Sequence, residues 1–250
     1  MGRSGLKIVA TIEARMGSTR LPGKVLLPAA GKPLLEHLVE RLRRVPRLDG
    51  IVMATTVQSR DDPIVRLSKQ IGIGFFRGSE DDVLGRVLGA ARASSADVIV
   101  EITSDCPLID PKIVELCIER YCGLEADFVA NFLKPSYPIG MAAQVFATNI
   151  LDQVAKTTQE PVNREHPSIY IYRHPEKYRL MNVSAPPEHT RPNLRLTLDT
   201  IEDYQVIRSI FEALYPQKET FDLTDTINYL DAHPDIASIN ADVKQKVPSW

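Results

Sequence analysis

The sequence contains little cysteine, little net charge and no long apolar run, and each shortage excludes a class of protein. Only three of its 250 residues are cysteines, Cys106, Cys117 and Cys122, and so small and odd a number argues against a disulfide scaffold. Cys117 and Cys122 are not spaced as C-x-x-C metal ligands. The formal charge of -2 provides no general attraction to nucleic acid or to anionic membranes.

The sequence also shows neither a membrane-spanning segment nor a secretion signal. No apolar stretch reaches the ~20 residues that span a bilayer, and no signal-peptide core precedes the first predicted strand. We therefore expect a cytoplasmic protein whose partners include neither nucleic acid nor membrane. The length favours one domain, so we predict a single domain over residues 1–250, with a small inserted arm about 134–147 and a helical C-terminal end about 215–250.

Alternating strand and helix patterns predict the fold class. Apolar runs predict strands near residues 6–12, 50–55, 71–76, 98–102 and 127–131. Helical spacing between these runs favours an α/β fold with a doubly wound, mostly parallel sheet and right-handed crossovers. The alternating residues Leu194 to Leu198 predict a further strand of that sheet. Four residues are predicted to cap the N-termini of helices, namely Asp62, Ser79, Asp110 and Thr200.

The most informative stretch is residues 10–24, where the first predicted strand passes into a cationic loop. This loop contains two glycines, a proline, two hydroxyls and the cations Arg15, Arg20 and Lys24. Glycines let backbone N–H groups approach an anion, and Arg and Lys neutralise its charge. The spacing matches neither the P-loop nor the G-x-G-x-x-G pattern. Because α/β sheets bind ligands at the carboxyl ends of their strands, we predict a polyphosphate site, with a solvated connection as the alternative on composition alone.

Two aspartates lie between a predicted strand and a predicted helix. Asp105 follows the apolar run 98–102, and Asp199 follows residues 194–198. If these strands are neighbours, both carboxylates face the same crevice as the cationic loop. Two carboxylates beside a triphosphate bind Mg²⁺, with phosphate and water completing its octahedron. Helix capping is the alternative role, but Asp110 and Thr200 are better placed as caps, so we predict a Mg²⁺ site at Asp105 and Asp199.

Three motifs resemble a known family. The run Glu13 to Lys24, E-A-R-M-G-S-T-R-L-P-G-K, is similar to the signature loop of sugar nucleotidyltransferases. It most resembles the cytidylyltransferase-like family named for spore-coat polysaccharide biosynthesis protein F, which is related to 3-deoxy-manno-octulosonate and acylneuraminate cytidylyltransferases. T-S-D-C-P-L-I-D at 103–110 and L-T-L-D-T-I-E-D at 196–203 match two further family motifs, with Ser104 in place of a glycine. The resemblance spans about residues 8–214 and implies a Rossmann-like, nucleotide-diphospho-sugar transferase-like fold.

The resemblance also implies an activity and a set of site residues. The implied enzyme is a Mg²⁺-dependent homodimer that transfers CMP from CTP to a sugar or sugar-like acid for surface polysaccharide or glycan synthesis. Its catalytic residues would be Arg15 and Lys24, which hold the triphosphate, together with the metal ligands Asp105 and Asp199. The nucleotide-binding residues would be Ala14, Arg15, Gly17, Ser18, Lys24, Thr55, Arg77, Gly78, Ser79 and Thr103. The acceptor pocket would include Tyr137, Gly140, Arg164 and His166.

One segment departs from the family pattern and leaves alternatives open. Residues 137–145 read Y-P-I-G-M-A-A-Q-V, where relatives read Y-P-D-G-L-D-V-E-V, so Ile139, Ala142 and Gln144 replace three acids. This loss motivates a non-catalytic nucleotide-binding homologue as one alternative. A glycosyltransferase of the same fold is the other, although Asp105-Cys106-Pro107 lacks the second Asp of a D-x-D metal motif. The sequence does not name the acceptor.

Overall fold

A seven-stranded sheet forms the centre of the computed structural model, which describes residues 5–123 and 126–245. Its strands run in the order β5-β4-β1-β6-β8-β7-β9, and β2 pairs with β3 in a separate hairpin. Within the described chain, β8 is the one strand of the large sheet that runs antiparallel to its neighbours. The strands are β1 Ile8–Glu13, β2 Pro28–Ala29, β3 Lys32–Pro33, β4 Gly50–Thr56, β5 Gly74–Gly78, β6 Val98–Thr103, β7 Phe128–Ala130, β8 Gln144–Ala147 and β9 Leu180–Asn182.

Helices cover both faces of this sheet, which confirms the predicted doubly wound α/β class. Side chains alternate along β1, so Ala10 and Ile12 pack under α1, α2 and α4, while Val9 packs under α3. The helices are α1 Leu34–Leu42, α2 Asp62–Gln70, α3 Val83–Ala93, α4 Pro111–Gly123, α5 Thr148–Thr157, α6 Pro161–Glu165, α7 Ile169–Arg173, α8 Ile201–Leu214, α9 Leu223–Ala232 and α10 Pro234–Ser238.

A third apolar cluster joins the C-terminal helices to the sheet layers. Residues of α8 and α9 pack there against Leu34, Leu196 and Leu198. The predicted helical end about 215–250 contains α9 and α10, and its residues 246–250 lie outside the described part. None of the described helices is both long and apolar enough to cross a bilayer.

The prediction of a sheet strand at Leu194–Leu198 is wrong. The segment is extended but forms only one isolated bridge, between Ile139 and Arg195. The Leu196 N–H donates to the Ile139 carbonyl at 2.8 Å, and the Leu198 N–H donates to the Asp105 carbonyl at 2.8 Å. Local alternation predicts extended backbone, but the segment finds its partners in two loops instead of a strand. Residue 199 nevertheless lies beside residue 105, which is the placement that the predicted strand implied.

The segment about 134–147, expected as an inserted arm, lies partly within the central sheet. Residues 144–147 form β8 inside the central sheet, and Tyr137, Met141 and Ala143 are buried. Gly140 explains how this segment packs so closely: it has φ +102°, and a Cβ there would lie 2.5 Å from the Leu196 carbonyl carbon. Only glycine suits that combination of a positive φ and a close backbone approach.

Two of the four predicted helix caps differ from the structure. The α3 cap is Asp82, whose carboxylate accepts the Gly85 N–H at 2.8 Å, and not Ser79. Asp62 is the first residue of α2 and not its cap. Thr200 forms a complete capping box with Asp203 at α8, as predicted, and the Asp110 carboxylate accepts the Lys112 N–H at 2.8 Å at the start of α4.

Candidate active site

The strand order reverses between β1 and β6, and this is where a cavity of about 720 Å³ opens. The two strands are parallel, and their carboxyl ends, Glu13 and Thr103, are in register. Both following loops therefore leave the sheet at the crevice where α/β folds bind ligands. The cavity lining contains Glu13, Ala14, Arg15, Ser18, Thr19, Arg20, Lys24, Val83, Arg86, Thr103, Ser104, Asp105, Glu165, His166, Asp199 and Gln245.

The cationic loop after β1 is held in a fixed shape by a buried carboxylate. Asp61 accepts the Met16 N–H at 2.6 Å and also the hydroxyl of Thr56. Gly23, with φ +72°, donates its N–H back to the Met16 carbonyl at 3.0 Å. These bonds close the loop, and its cations Arg15, Arg20 and Lys24 all line the cavity. The predicted concentration of positive charge for a polyphosphate is therefore present.

Asp199 lies at the centre of a dense charge cluster. Its Oδ1 faces Lys24 Nζ at 2.8 Å and Arg20 Nη2 at 3.0 Å. Its Oδ2 accepts from Arg195 Nη2 at 2.9 Å. Although burial acts to raise it, the charge and hydrogen bond of Lys24 and the charge of Arg20 hold the pKa of Asp199 below its usual value. Asp199 is therefore an anion at neutral pH.

Asp105 is brought to Asp199 by backbone hydrogen bonds. Its carbonyl accepts both the Leu198 N–H at 2.8 Å and the Thr197 hydroxyl at 3.1 Å. Its carboxylate oxygen Oδ1 accepts the Thr103 hydroxyl at 2.5 Å. Among the described residues, no hydrogen bond reaches Oδ2 of Asp105. That oxygen is available to a ligand in the cavity.

The donor set of this cavity fits Mg²⁺ bound together with a nucleotide. Two carboxylates, Asp105 and Asp199, are the one or two protein ligands that Mg²⁺ takes when phosphate and water complete its octahedron. No group of three His, Cys, Asp or Glu residues suited to a metal occurs in the described ranges. A Mg²⁺ ion held by these two carboxylates would take its remaining ligands from substrate and water.

Several predicted nucleotide-binding residues lie outside the cavity lining. Arg77 instead fixes the β4–α2 connection, because it donates to the Thr56 and Gln58 carbonyls at 2.8 Å each. Thr55 is fully buried in β4. Ser79 accepts Arg86 Nη1 at 2.6 Å on its carbonyl, and Arg86 does line the cavity. Gly17 and Gly78 are also absent from the lining, whereas Ala14, Arg15, Ser18, Lys24 and Thr103 are in it.

Of the predicted acceptor residues, too, some line the cavity and others do not. His166 lines the cavity. Arg164 pairs with the α3 cap Asp82 and donates to the Ala155 carbonyl at 3.3 Å, so it fastens α6 to its neighbours. Tyr137 is buried in the third apolar cluster and Gly140 packs on residues 196–197. Both occupy packing positions in this structure, and their acceptor role stays a prediction.

A family model described as cytidylyltransferase matches residues 9–227. The chain belongs to the cytidylyltransferase family. The resemblance inferred from the three motifs is thereby confirmed, and the chain is a nucleotidyltransferase.

Individual relatives agree with this assignment over almost the full length. The chain is 33% identical over 236 residues to spore coat polysaccharide biosynthesis protein SpsF of Bacillus subtilis, covering 92% of this chain and 97% of the relative. A cytidylyltransferase structure from Leptospira borgpetersenii superposes with a TM-score of 0.88 at 32% identity, covering 97% of this chain and 99% of that one. CMP:2-keto-3-deoxy-manno-octonic acid synthetase complexed with CTP shares the fold, with a TM-score of 0.60 at 20% identity over 82% of this chain and 98% of that one.

Sequence reasoning missed several polar contacts of the candidate site. Arg20 is predicted only as one of the loop cations, and the structure pairs it with Asp199. Arg195, four residues before Asp199, is buried and holds the second oxygen of that carboxylate. Gln245 comes from the far end of the chain and accepts from Arg195. The i, i+4 spacing of Arg195 and Asp199 was a usable signal, whereas nothing local indicated Gln245.

Sequence reasoning also missed a buried acid pair, of which Glu13 lines the cavity. Glu13 of β1 and Glu101 of β6 adjoin, and each has one carboxyl oxygen buried without a hydrogen-bond partner. Burial, then the neighbouring Glu101, raises the pKa of Glu13 well above its usual value, and burial raises the pKa of Glu101 to about 7. Gln144 lies opposite Glu101 in β8. An acid at 144 would add a third carboxyl to this pair, so the neutral amide suits its position.

We expect this pair to make folding pH-dependent. The unfolded chain ionises Glu101 near pH 4.5, whereas the folded chain retains the proton to about pH 7. The folded state binds more protons in this window, so the free energy of unfolding falls as pH rises through it. Glu101→Gln is expected to make this fall in the free energy of unfolding smaller by on the order of 2 kcal/mol. Urea unfolding between pH 5 and pH 8 measures the effect.

The matched control is Glu119→Gln, which changes an exposed acid of α4. We expect its pH profile to follow that of the unsubstituted chain. An unchanged profile in Glu101→Gln would show that the acid pair does not hold a proton in the folded state.

Proposed function

We propose that the protein transfers CMP from CTP to a sugar or sugar-like acid in the presence of Mg²⁺ and releases pyrophosphate. The observation that carries this proposal is the convergence of Lys24, Arg20, Asp105 and Asp199 on one cavity at the strand-order reversal. Cytidylyl transfer is the chemistry of the family. A sugar acid as acceptor is supported by the name of the fold relative, a synthetase of CMP and 2-keto-3-deoxy-manno-octonic acid.

The cations of the loop suit the triphosphate. Lys24 and Arg20 now share one oxygen of Asp199, and phosphate oxygens can replace that carboxylate oxygen as their partners. Arg15 is 41% exposed at its side chain and reaches Glu80 only at 3.5 Å, so it is free to turn toward a ligand at little cost. Together the three cations neutralise the pyrophosphate that leaves.

The reaction exchanges one bond for another at the α-phosphorus. An acceptor oxygen forms a bond to the α-phosphorus of CTP, and the bond from that phosphorus to the α–β bridging oxygen breaks. The chain supplies position and charge neutralisation. When bound by Asp105 and Asp199, Mg²⁺ would supply further neutralisation of developing charge and would lower the pKa of the acceptor hydroxyl. His166 and Glu165 line the cavity on the α6 side, and we assign the acceptor to that side.

The missing family acids do not weaken this proposal. Ile139, Ala142 and Gln144 are all absent from the cavity lining. Ile139 instead bridges to Arg195, and Gln144 accepts the Ser168 hydroxyl. Their replacement therefore leaves the carboxylates and cations of the cavity in place, which favours an active enzyme over a non-catalytic homologue.

Thermal stabilisation by nucleotides is the first test. We expect CTP with Mg²⁺ to stabilise the purified chain more than CTP alone and more than UTP, GTP or ATP. A ligand at ~100 times its dissociation constant adds roughly 2.7 kcal/mol. Pyrophosphate release with CTP and a panel of sugar acids then identifies the acceptor.

Other outcomes would redirect the proposal. Stronger stabilisation by a different triphosphate would identify that nucleotide as the donor in place of CTP. Stabilisation only by nucleotide-sugars would favour a glycosyltransferase. The homodimer expected from the resemblance stays a prediction, which sedimentation of the purified chain tests.

A further inference from the structure

A second cavity, of about 220 Å³, lies between α1 and the end of α8. It shares no lining residue with the nucleotide cavity. Its walls combine aromatic rings with the guanidinium groups of Arg41 and Arg44, and they also contain two acids, Glu40 and Glu219. A volume several times that of one water molecule, ~30 Å³, has room for a small tetrahedral ion.

Arg41 is the unusual residue of this cavity. It is 2% exposed, and its guanidinium lies 4.1 Å from the ring centroid of Phe221. Nη1 donates to the Phe221 carbonyl at 2.8 Å, but Nε and Nη2 are buried and find no hydrogen-bond partner in the part of the chain that the structure describes. Leaving a buried charged donor unsatisfied costs more than the ~1–3 kcal/mol of a neutral one. Such a group requires a partner in the cavity it lines.

A further donor of the cavity is unsatisfied in the same way. Nε of Arg44 is buried without a hydrogen-bond partner among the described residues. Burial, and then the charge of Arg44, lowers the pKa of Arg41 to about 9, so the two guanidinium groups repel each other. Both are cations at neutral pH, and an anion between them would relieve that repulsion.

Among the described residues, no carboxylate forms an ion pair with Arg41 or Arg44, including Glu219, which lines the same cavity. Glu40 is occupied by Lys32 at 2.5 Å and by the Tyr215 hydroxyl at 3.0 Å. Asp110 accepts the backbone N–H groups of Lys112 and Leu223 at 2.8 Å each. Asp222 and Asp225 act on Arg41 only through their charge, and their side-chain hydrogen bonds go to the α9 cap and to lysines.

We propose that this cavity, which we call the Arg41 cavity, is a binding site for a phosphate-type oxyanion, either free phosphate or a phosphomonoester. A tetrahedral oxyanion presents several acceptor oxygens, which match the planar donor forks of Arg41 and Arg44. The aromatic rings of Phe211 and Phe221 form an apolar part of the cavity wall, and a lower local dielectric strengthens ionic contacts. The proposal is independent of the CTP reaction, because it rests on different residues.

The test compares melting temperatures of the full chain in sodium phosphate, in glycerol phosphate and in sodium chloride at equal ionic strength. We expect phosphate or glycerol phosphate to raise the melting temperature in a saturable manner. Arg44→Gln, at a half-buried position, is expected to weaken binding about tenfold, since it removes a charged hydrogen-bond donor. Arg41→Met is expected to abolish the shift, and Arg44→Gln alone decides the test if Arg41→Met fails to fold.

Two further variants separate this cavity from other phosphate effects. Arg47→Gln removes the same charge from an exposed residue that pairs with Glu115, and we expect it to keep the shift. Lys24→Gln alters the nucleotide cavity, and we expect a shift that depends on Arg44 to persist in it. A shift lost in Lys24→Gln alone would place phosphate only in the nucleotide cavity and overturn the proposal. Equal shifts in every variant, or none in the unsubstituted chain, would overturn it too.

Discussion

Asp199→Asn and Asp105→Asn are each expected to lower turnover about 10³-fold while leaving the fold intact. Each change removes a negative charge from the proposed magnesium site and keeps the shape of the side chain. Loss of one electrostatic contact to a developing charge typically costs 10²–10³-fold, and each variant would also weaken the proposed hold on Mg²⁺. Pyrophosphate release from CTP, with the acceptor that supports it, measures the effect.

The local contacts explain why the fold should survive Asp199→Asn. Arg195 keeps Asp203 as a partner, and Lys24 keeps the Leu198 carbonyl at 2.6 Å. We therefore expect a loss of stability of only about 1–2 kcal/mol. The stabilisation by CTP is also expected to lose its dependence on Mg²⁺, which separates a metal role from a general loss of activity.

Asp231→Asn is the matched control, because Asp231 is 63% exposed and pairs only with Arg191 at 3.6 Å among the described residues. Its turnover should equal that of the unsubstituted chain. Near-full activity in Asp105→Asn or Asp199→Asn would remove the metal assignment, whatever the stability of the variant.

The sequence predicts the sheet side of the site well, because its signals there are local. The apolar run of β1, the glycines of the loop and the cap at Thr200 each act within a few residues of their position. Asp105 could be predicted because it follows β6 directly. The order in which β1, β4 and β5 wind likewise follows from right-handed helical crossovers between neighbouring parallel strands.

The residues that could not be predicted are those placed by contacts distant in sequence. The segment 194–198 has the alternation of a strand, but its backbone bonds go to Ile139 and Asp105, and local pattern does not reveal which partner an extended segment finds. Arg86 and Arg41 look like ordinary cations of amphipathic helices, yet both are buried. Their role depends on what packs above them, and periodicity does not contain that information.

The contacts of the C-terminal segment with the site could not be predicted from local sequence patterns either. Asn240 donates to the Arg195 carbonyl at 3.1 Å and to Asp203 Oδ1 at 2.9 Å. Gln245 accepts from Arg195 and lines the cavity. Residues about 40 positions beyond Asp199 therefore help to hold its orientation, through the buried guanidinium of Arg195.

Arg195→Leu is expected to be the most destabilising of the substitutions described here, at about 3–5 kcal/mol. Arg195 donates Nε to Asp203 Oδ1 at 2.8 Å and Nη2 to Asp199 Oδ2 at 2.9 Å, and its side chain is 4% exposed. Although burial acts to raise it, the hydrogen bonds from Arg195 and Asn240 hold the pKa of Asp203 below its usual value. Removing the guanidinium leaves two buried carboxylates without their shared cation, and breaking a buried pair on one side costs that much.

Urea unfolding at pH 7 measures this loss, and Arg208→Leu is the control. Arg208 lies on α8, pairs with Glu212 at 2.6 Å and is 53% exposed at its side chain, so its loss should cost less than about 1 kcal/mol. Arg195→Lys should fall between the two, because it keeps the charge but cannot bind both carboxylates with a planar fork. If Arg195→Leu unfolds like Arg208→Leu, Asp199 is oriented by Lys24 and Arg20 alone, and the C-terminal segment has no part in the site.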